Sequence, residues 1–223
     1  MPLLWNHFVL AFSALLPLIN PFGLSIIFIG LVGIAPVELY KHLARRIAIN
    51  TIIFMAAVEL IGSAVLNFFG ISLPIVQLAG GFAVAAMGWT LLNEKDSKRT
   101  VNTKQEQIEA QNITGDLEQK TFYPFTFPLT VGPGCTVVML TLSAHASQNN
   151  MVDSVLAHMG LLLAVVVLSI LVYCSCAYAP RITKAISQQT AHGMLRVIAF
   201  ILLCIGVQIA WNGLSVLIPT IHH

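Results

Sequence analysis

Charge is scarce in this chain, and the scarcity is unevenly spread. Only 9% of the 223 residues are charged, where soluble domains carry about a quarter, and mean hydropathy is +0.85. So few charges cannot cover a water-exposed globule, and no basic face is left for nucleic acid. Setting histidines aside, Glu59 is the only charged residue between Ile47 and Leu92, and Asp153 the only one between Thr121 and Pro180. Cysteine is equally thin, and Cys135, Cys174, Cys176 and Cys204 all fall in apolar stretches. Disulfides, thiol catalysis and zinc sites need accessible, suitably spaced sulfur, so these four are expected as small core residues. No nucleotide-binding loop and no motif for hydrolysis or redox chemistry occurs. The chain is therefore not expected to be an enzyme, to use a cofactor or to hold a metal. Lys and Arg are missing before Lys41, which argues against a signal peptide and for a membrane span in that region.

Between the charges lies long apolar sequence. Uncharged stretches of about 18 or more residues mark transmembrane helices. Six are expected, over residues 4–35, 47–69, 73–92, 122–144, 155–179 and 194–218. The first is too long for a straight helix across a hydrocarbon core about 30 Å thick. Trp5, Trp89 and Trp211 lie near span ends, where interfacial anchors belong.

All 11 Lys and Arg residues fall on one side of a six-span arrangement. Lys41, Arg45 and Arg46 lie between spans one and two. Five more lie in residues 93–120, and Arg181, Lys184 and Arg196 between spans five and six. Basic loops stay inside, so residues 93–120 are expected to be cytoplasmic and both termini to face out. That segment is polar, of mixed charge and without apolar periodicity, the mark of a solvated linker. Its Asn112-Ile113-Thr114 fits a glycosylation sequon only by chance on that side.

The linker divides the chain into residues 1–92 and 121–223, each with three spans. Three is odd, so the second half enters the membrane from the opposite side. Both first spans carry a shared fragment, Pro17-Leu18-x4-Gly23 and Pro128-Leu129-x4-Gly134. The expected fold is an all-α integral membrane protein of six helices, built as two inverted three-helix repeats.

The shared fragments are awkward in a membrane helix. Pro17 and Pro21 donate no backbone hydrogen bond and clash with the preceding turn. Gly23 permits backbone angles other residues avoid, and Gly132-Pro133-Gly134 repeats the pattern more severely. Helices 1 and 4 are therefore expected to be discontinuous. Unpaired backbone in lipid costs several kcal/mol, so such a break persists only inside protein or beside a watery cavity. Half-helix ends carry partial charges of about half an electron, enough to hold a zwitterion without a charged side chain. Asn20, Pro21, Gly23, Thr130, Gly132, Pro133 and Gly134 are the expected substrate-binding residues.

LLPLINPFG, the run Phe69 to Gly81, FPLTVGPG and the closing segment Gly193 to Gly213 together resemble the MarC family of bacterial inner-membrane proteins, which includes the SnatA amino-acid transporters. The resemblance runs from Leu15 onward, apart from the linker. It implies discontinuous first and fourth helices and, in the SnatA branch, transport of small neutral amino acids such as glycine or alanine. The expected function is a secondary transporter working by alternating access, with H+ or Na+ as coupling ion and lipid as its surroundings. The alternatives are an exporter or channel for another small solute, or an intramembrane enzyme or redox protein using Glu59 or Cys174-x-Cys176.

Glu59 sits within the second span, where a carboxylate is expensive and usually functional. It reads either as a proton-coupling group or as a neutral packing acid, with no partner identifiable. His7, His145 and His158 gather toward the outer side and read as interfacial. Gln77, Gln208 and Asn212 read as polar contacts between helices. Gly81/Ala85 and Ala79/Ala83 are spaced for close helix packing.

Overall fold

Pro2, Pro21 and Pro133 each open a helix, because proline's fixed φ suits a first helical turn and its missing N–H is unpaired there in any case. The computed structural model describes residues 2–33, 35–93, 121–146, 150–185 and 188–221. The linker and Asn112 lie outside the described residues. Helix α1 is Pro2–Ile19, α2 Pro21–Val32, α3 Val37–Phe68 and α4 Leu73–Asn93. After the linker come the irregularly wound α5, Phe122–Thr130, then α6 Pro133–Ala146, α7 Met151–Ala177, α8 Ala179–Ala185 and α9 Gln188–Ile221. Among the described residues there is no strand.

Five stretches are long and apolar enough to cross a membrane: Pro2–Val32, Val37–Phe68, Leu73–Asn93, Met151–Ala177 and Gly193–Ile218. The pair α5 and α6, bent by 63°, makes a sixth. The apolar patterns end where expected, but α3 begins at Val37, ten positions before the apolar window. Its first turns carry Lys41, Arg45 and Arg46, so they continue the helix beyond the apolar layer. Pro36, extended at φ −60° and ψ 150°, starts it, and Glu38 stands in the first turn, where the helix dipole favours negative charge.

Helix α7 is the central post. Ala157, Leu161, Ala164, Leu168 and Val172 recur every three or four residues and are buried, facing α1 and α3. Leu15 of α1 and Leu43, Ile47 and Met55 of α3 belong to the same core. The outer surface is the reverse of a soluble protein's. Ile53, Phe82, Phe200 and Val207 are exposed, an apolar coat that only lipid covers. Trp5, Trp89 and Trp211 are exposed too. Cys135 and Cys176 are buried as expected, whereas Cys174 and Cys204 face outward. In a membrane an outward face is as apolar as a core, so hydropathy alone could not separate them.

Helices α4 and α9 run antiparallel in backbone contact. A Cβ on Gly81 would lie 2.7 Å from the Ala210 Cα, and one on Gly206 2.7 Å from the Ala85 Cα. Gly88 meets Leu203 and Gly213 meets Pro74 in the same way. The Gly81/Ala85 spacing thus serves packing, while Ala79 and Ala83 point outward.

Candidate functional site

Asn20 alone separates α1 from α2. It adopts the left-handed conformation, φ 44° and ψ 70°, and its side chain accepts a hydrogen bond from the Gly23 N–H. Asparagine tolerates that region because its short polar side chain can bond locally. Pro21 then opens α2. Two backbone bonds still bridge the joint, Asn20 N–H to Leu16 O at 3.0 Å and Leu24 N–H to Asn20 O at 2.9 Å. Gly23 is small for a local reason: a Cβ there would lie 2.9 Å from Asn20 Cγ.

The second joint is wider. Tyr123 and Phe127, each before a proline, are extended, as residues preceding proline prefer. The displaced carbonyls are met by side chains. Thr126 Oγ1 donates to Thr121 O at 2.7 Å, and Thr130 Oγ1 to Phe125 O at 2.6 Å. Val131 is extended, φ −122° and ψ 92°, and Pro133 opens α6 as Pro21 opens α2. Gly134 lies against the first joint, since a Cβ there would be 3.0 Å from Leu18 Cδ2 and 2.9 Å from Val84 Cγ2. Asn20, Pro21 and Gly23 therefore stand at one joint and Thr130, Gly132, Pro133 and Gly134 at the other, with the Leu18–Gly134 contact between them. Both joints present a helix N-terminus, that of α2 and that of α6.

On one side of the joints a cavity of about 470 Å³ opens between α1, α6 and α9. Its polar walls are Asn6, His7, Thr141, His145, Gln208 and Asn212, none formally charged unless a histidine takes a proton. Gln208 Nε2 donates to Asn212 Oδ1 at 2.9 Å. The Thr141 hydroxyl is buried without a hydrogen-bond partner among the described residues. Nδ1 of His7 faces Leu3 O at 3.0 Å, and a carbonyl only accepts, so in the neutral ring Nδ1 carries the hydrogen. None of the seven expected site residues lines the cavity. At its inner end Val138 lies four positions after Gly134, one helical turn away, and Ala14 six before Asn20.

On the other side of the joints the interior is closed by aromatics. Phe28 of α2 meets Phe125 of α5 edge-on at 5.3 Å and Tyr40 of α3 at 5.7 Å. All three are buried, and the Tyr40 hydroxyl donates to Gly33 O at 2.6 Å.

Glu59 stands apart from both joints and is almost wholly buried. Its Oε1 meets His158 Nδ1, from α7, and its backbone carbonyl accepts from Ser143 Oγ at 2.8 Å. The other carboxylate oxygen has no partner among the described residues. Residue-by-residue reading did not anticipate this pair, and His158 is therefore not an interfacial residue alone. The cavity walls were also missed, although Gln208 and Asn212, one turn apart on an apolar helix, carried the signal. No cluster of three or more His, Cys, Asp or Glu suited to a metal occurs among the described residues.

The family described as MarC family integral membrane protein matches residues 5–218. An inner membrane protein MarC of Citrobacter koseri is 29% identical over 227 residues, covering 96% of each chain. A membrane protein of Methanocaldococcus jannaschii is 26% identical, covering 94% of this chain and 96% of its own. An inner membrane protein MarC of Escherichia coli strain K12 is 23% identical over 218 residues. No solved structure matches the chain.

Proposed function

The chain belongs to the MarC family of integral membrane proteins, and from that premise we propose that it is a secondary transporter of a small polar solute, with glycine or alanine as leading candidates. The carrying observation is the cavity of about 470 Å³, apolar over most of its wall and polar only at a few uncharged side chains, whose inner end lies one turn from Gly134. That volume falls in the range of about 300–1,000 Å³ usual for small-ligand sites. A zwitterion needs a partial positive charge for its carboxylate and acceptors for its ammonium. The N-termini of α2 and α6 supply the first, and the remaining lone pairs of the Asn20 side-chain oxygen and of carbonyls at the joints supply the second. Asn20, Pro21, Gly23, Thr130, Gly132, Pro133 and Gly134 then hold the substrate mainly through backbone.

Two further features support alternating access between inverted repeats of residues 1–92 and 121–223. The third spans of the two halves, α4 and α9, pack chiefly on each other, and the second spans, α3 and α7, also pack together, although α7 packs as closely on the first span. Contacts between counterparts are expected of halves related by a two-fold axis in the membrane plane. A cavity open above the joints and an aromatic seal below them describe one access state. With the relatives named as inner membrane proteins, the proposed location is the inner membrane, the termini periplasmic and the linker cytoplasmic.

The test is exchange in liposomes. Purified protein should exchange radiolabelled glycine or alanine across the bilayer. Joint replacement of Gln208 and Asn212 by Leu should abolish exchange without lowering the thermal midpoint. No exchange of any small neutral amino acid by wild-type protein would sink the reading.

A further inference from the structure

Glu59 and His158 meet although 99 positions separate them, and the reading of the joints uses neither. The Glu59 side chain is fully enclosed, whereas 28% of the His158 side chain remains exposed. His158 lies seven positions into α7, whose start carries Asn150 and Asp153. At a rise of ~1.5 Å per residue that is ~10 Å from the helix end, close to the boundary between hydrocarbon and headgroups. The histidine is thus the only bonded route from the enclosed carboxylate toward the surface among the described residues.

Other ionisable groups around the pair are few. From α6 comes Ser143, which is not titratable here, while His145 sits on the face turned to the cavity. Helix α7 adds half-buried Asp153, whose Oδ2 accepts from Asn150 Nδ2 at 3.2 Å. Helix α1 brings His7, packed against Gly160, and α5 offers exposed Tyr123 toward the other end of α3. The nearest cation along α3 is Arg46, 13 positions earlier, ~20 Å away along the axis.

We propose that Glu59 and His158 form a proton-binding site, loaded through the His158 ring from the end of the bundle that bears Asn150, and that this site couples transport to protons. The proposal rests on the transporter reading. In the unloaded state the Nδ1–H of a neutral ring donates to the Glu59 carboxylate. A proton from water adds to Nε2, and the Nδ1 proton passes to Oε1. A neutral acid then lies beside a neutral ring whose hydrogen is on Nε2. One proton has been bound, and a lone negative charge has left an apolar interior, where it is costly. On release after the access change the Oε1 proton returns to Nδ1 and the Nε2 proton leaves to water, which restores the carboxylate and the Nδ1–H together.

Two measurements on the full chain in liposomes test this. Infrared difference spectra taken on acidifying the sample should show the carbonyl stretch of one carboxylic acid gaining its proton. That signal should vanish in Glu59→Gln and shift its midpoint in His158→Gln. Absence of any Glu59-dependent signal overturns the site, whatever the transport result. With radiolabelled glycine as probe and one proton per substrate, an imposed difference of about one pH unit supports about tenfold accumulation. Glu59→Gln and His158→Gln should each keep exchange without a gradient but lose that accumulation. Full accumulation by either variant overturns the coupling role. A wild-type protein that exchanges no glycine defeats the transporter reading, and the infrared signal still decides whether the pair binds a proton.

Discussion

Asn20 and Gly23 form one device. The left-handed backbone at Asn20 and its bond to the Gly23 N–H explain both residue types before any substrate is considered. Asn20→Ala should lose the cap, worth about 1 kcal/mol, and add the penalty of about 1–2 kcal/mol for an alanine in the left-handed region. Asn20→Gly loses the side chain but keeps the backbone, so its thermal midpoint should fall less. If substrate binding follows that same order, the residue acts through the joint's shape. Should Asn20→Gly lose binding as completely as Asn20→Ala, the side chain touches substrate. Thr130 allows a parallel comparison. Thr130→Val leaves the buried Phe125 carbonyl without its hydroxyl donor, at about 1–3 kcal/mol, whereas Thr130→Ser keeps the donor and should keep the thermal midpoint. The residues that shape the joints stood out in the sequence, because proline and glycine act on their own backbone. The Glu59–His158 pair was not, since a tertiary contact between spans leaves no periodic trace in either.

Helices carry a different kind of information. Spans were legible from apolar length alone, and a close-packing face on α4 from small residues spaced four apart, but not that α9 is its partner. Which small residues face a helix and which face lipid was not legible, because both environments are apolar: Gly81 and Ala85 pack, Ala79 and Ala83 do not. The seam makes a sharp prediction. Gly206→Val would drive a side chain into the Ala85 backbone, which cannot yield as a flexible side chain would. Large residues forced into close-packed sites typically cost about 1–3 kcal/mol or more, so the purified variant should show a clearly lowered thermal midpoint or fail to accumulate. Gly193→Ala meets nothing within 4 Å and should behave as wild type. Equal midpoints for the two would mean that α4 and α9 do not depend on backbone contact.

At the scale of the whole molecule, charge distribution and cavity position must agree. The basic residues Lys41, Arg45 and Arg46 start α3, and α3 leads away from them toward the turn before α4. The cavity lies at the turn end, reached by the start of α1, the end of α6 and the later part of α9. If basic loops are cytoplasmic, the cavity opens to the periplasm. In a background with the four native cysteines replaced, Gln148→Cys should react with an impermeant thiol reagent in intact cells, and Asn102→Cys only after the membrane is opened. Asn212→Cys, in the cavity wall, should also react from outside. Glycine or alanine in excess should slow that reaction if substrate occupies the cavity or drives it closed. Unchanged labelling at Asn212 under saturating substrate would separate the cavity from the transport path. Labelling of Asn102 in sealed cells would reverse the orientation, turning the aromatic seal of Phe28, Tyr40 and Phe125 toward the periplasm and the cavity toward the cytoplasm.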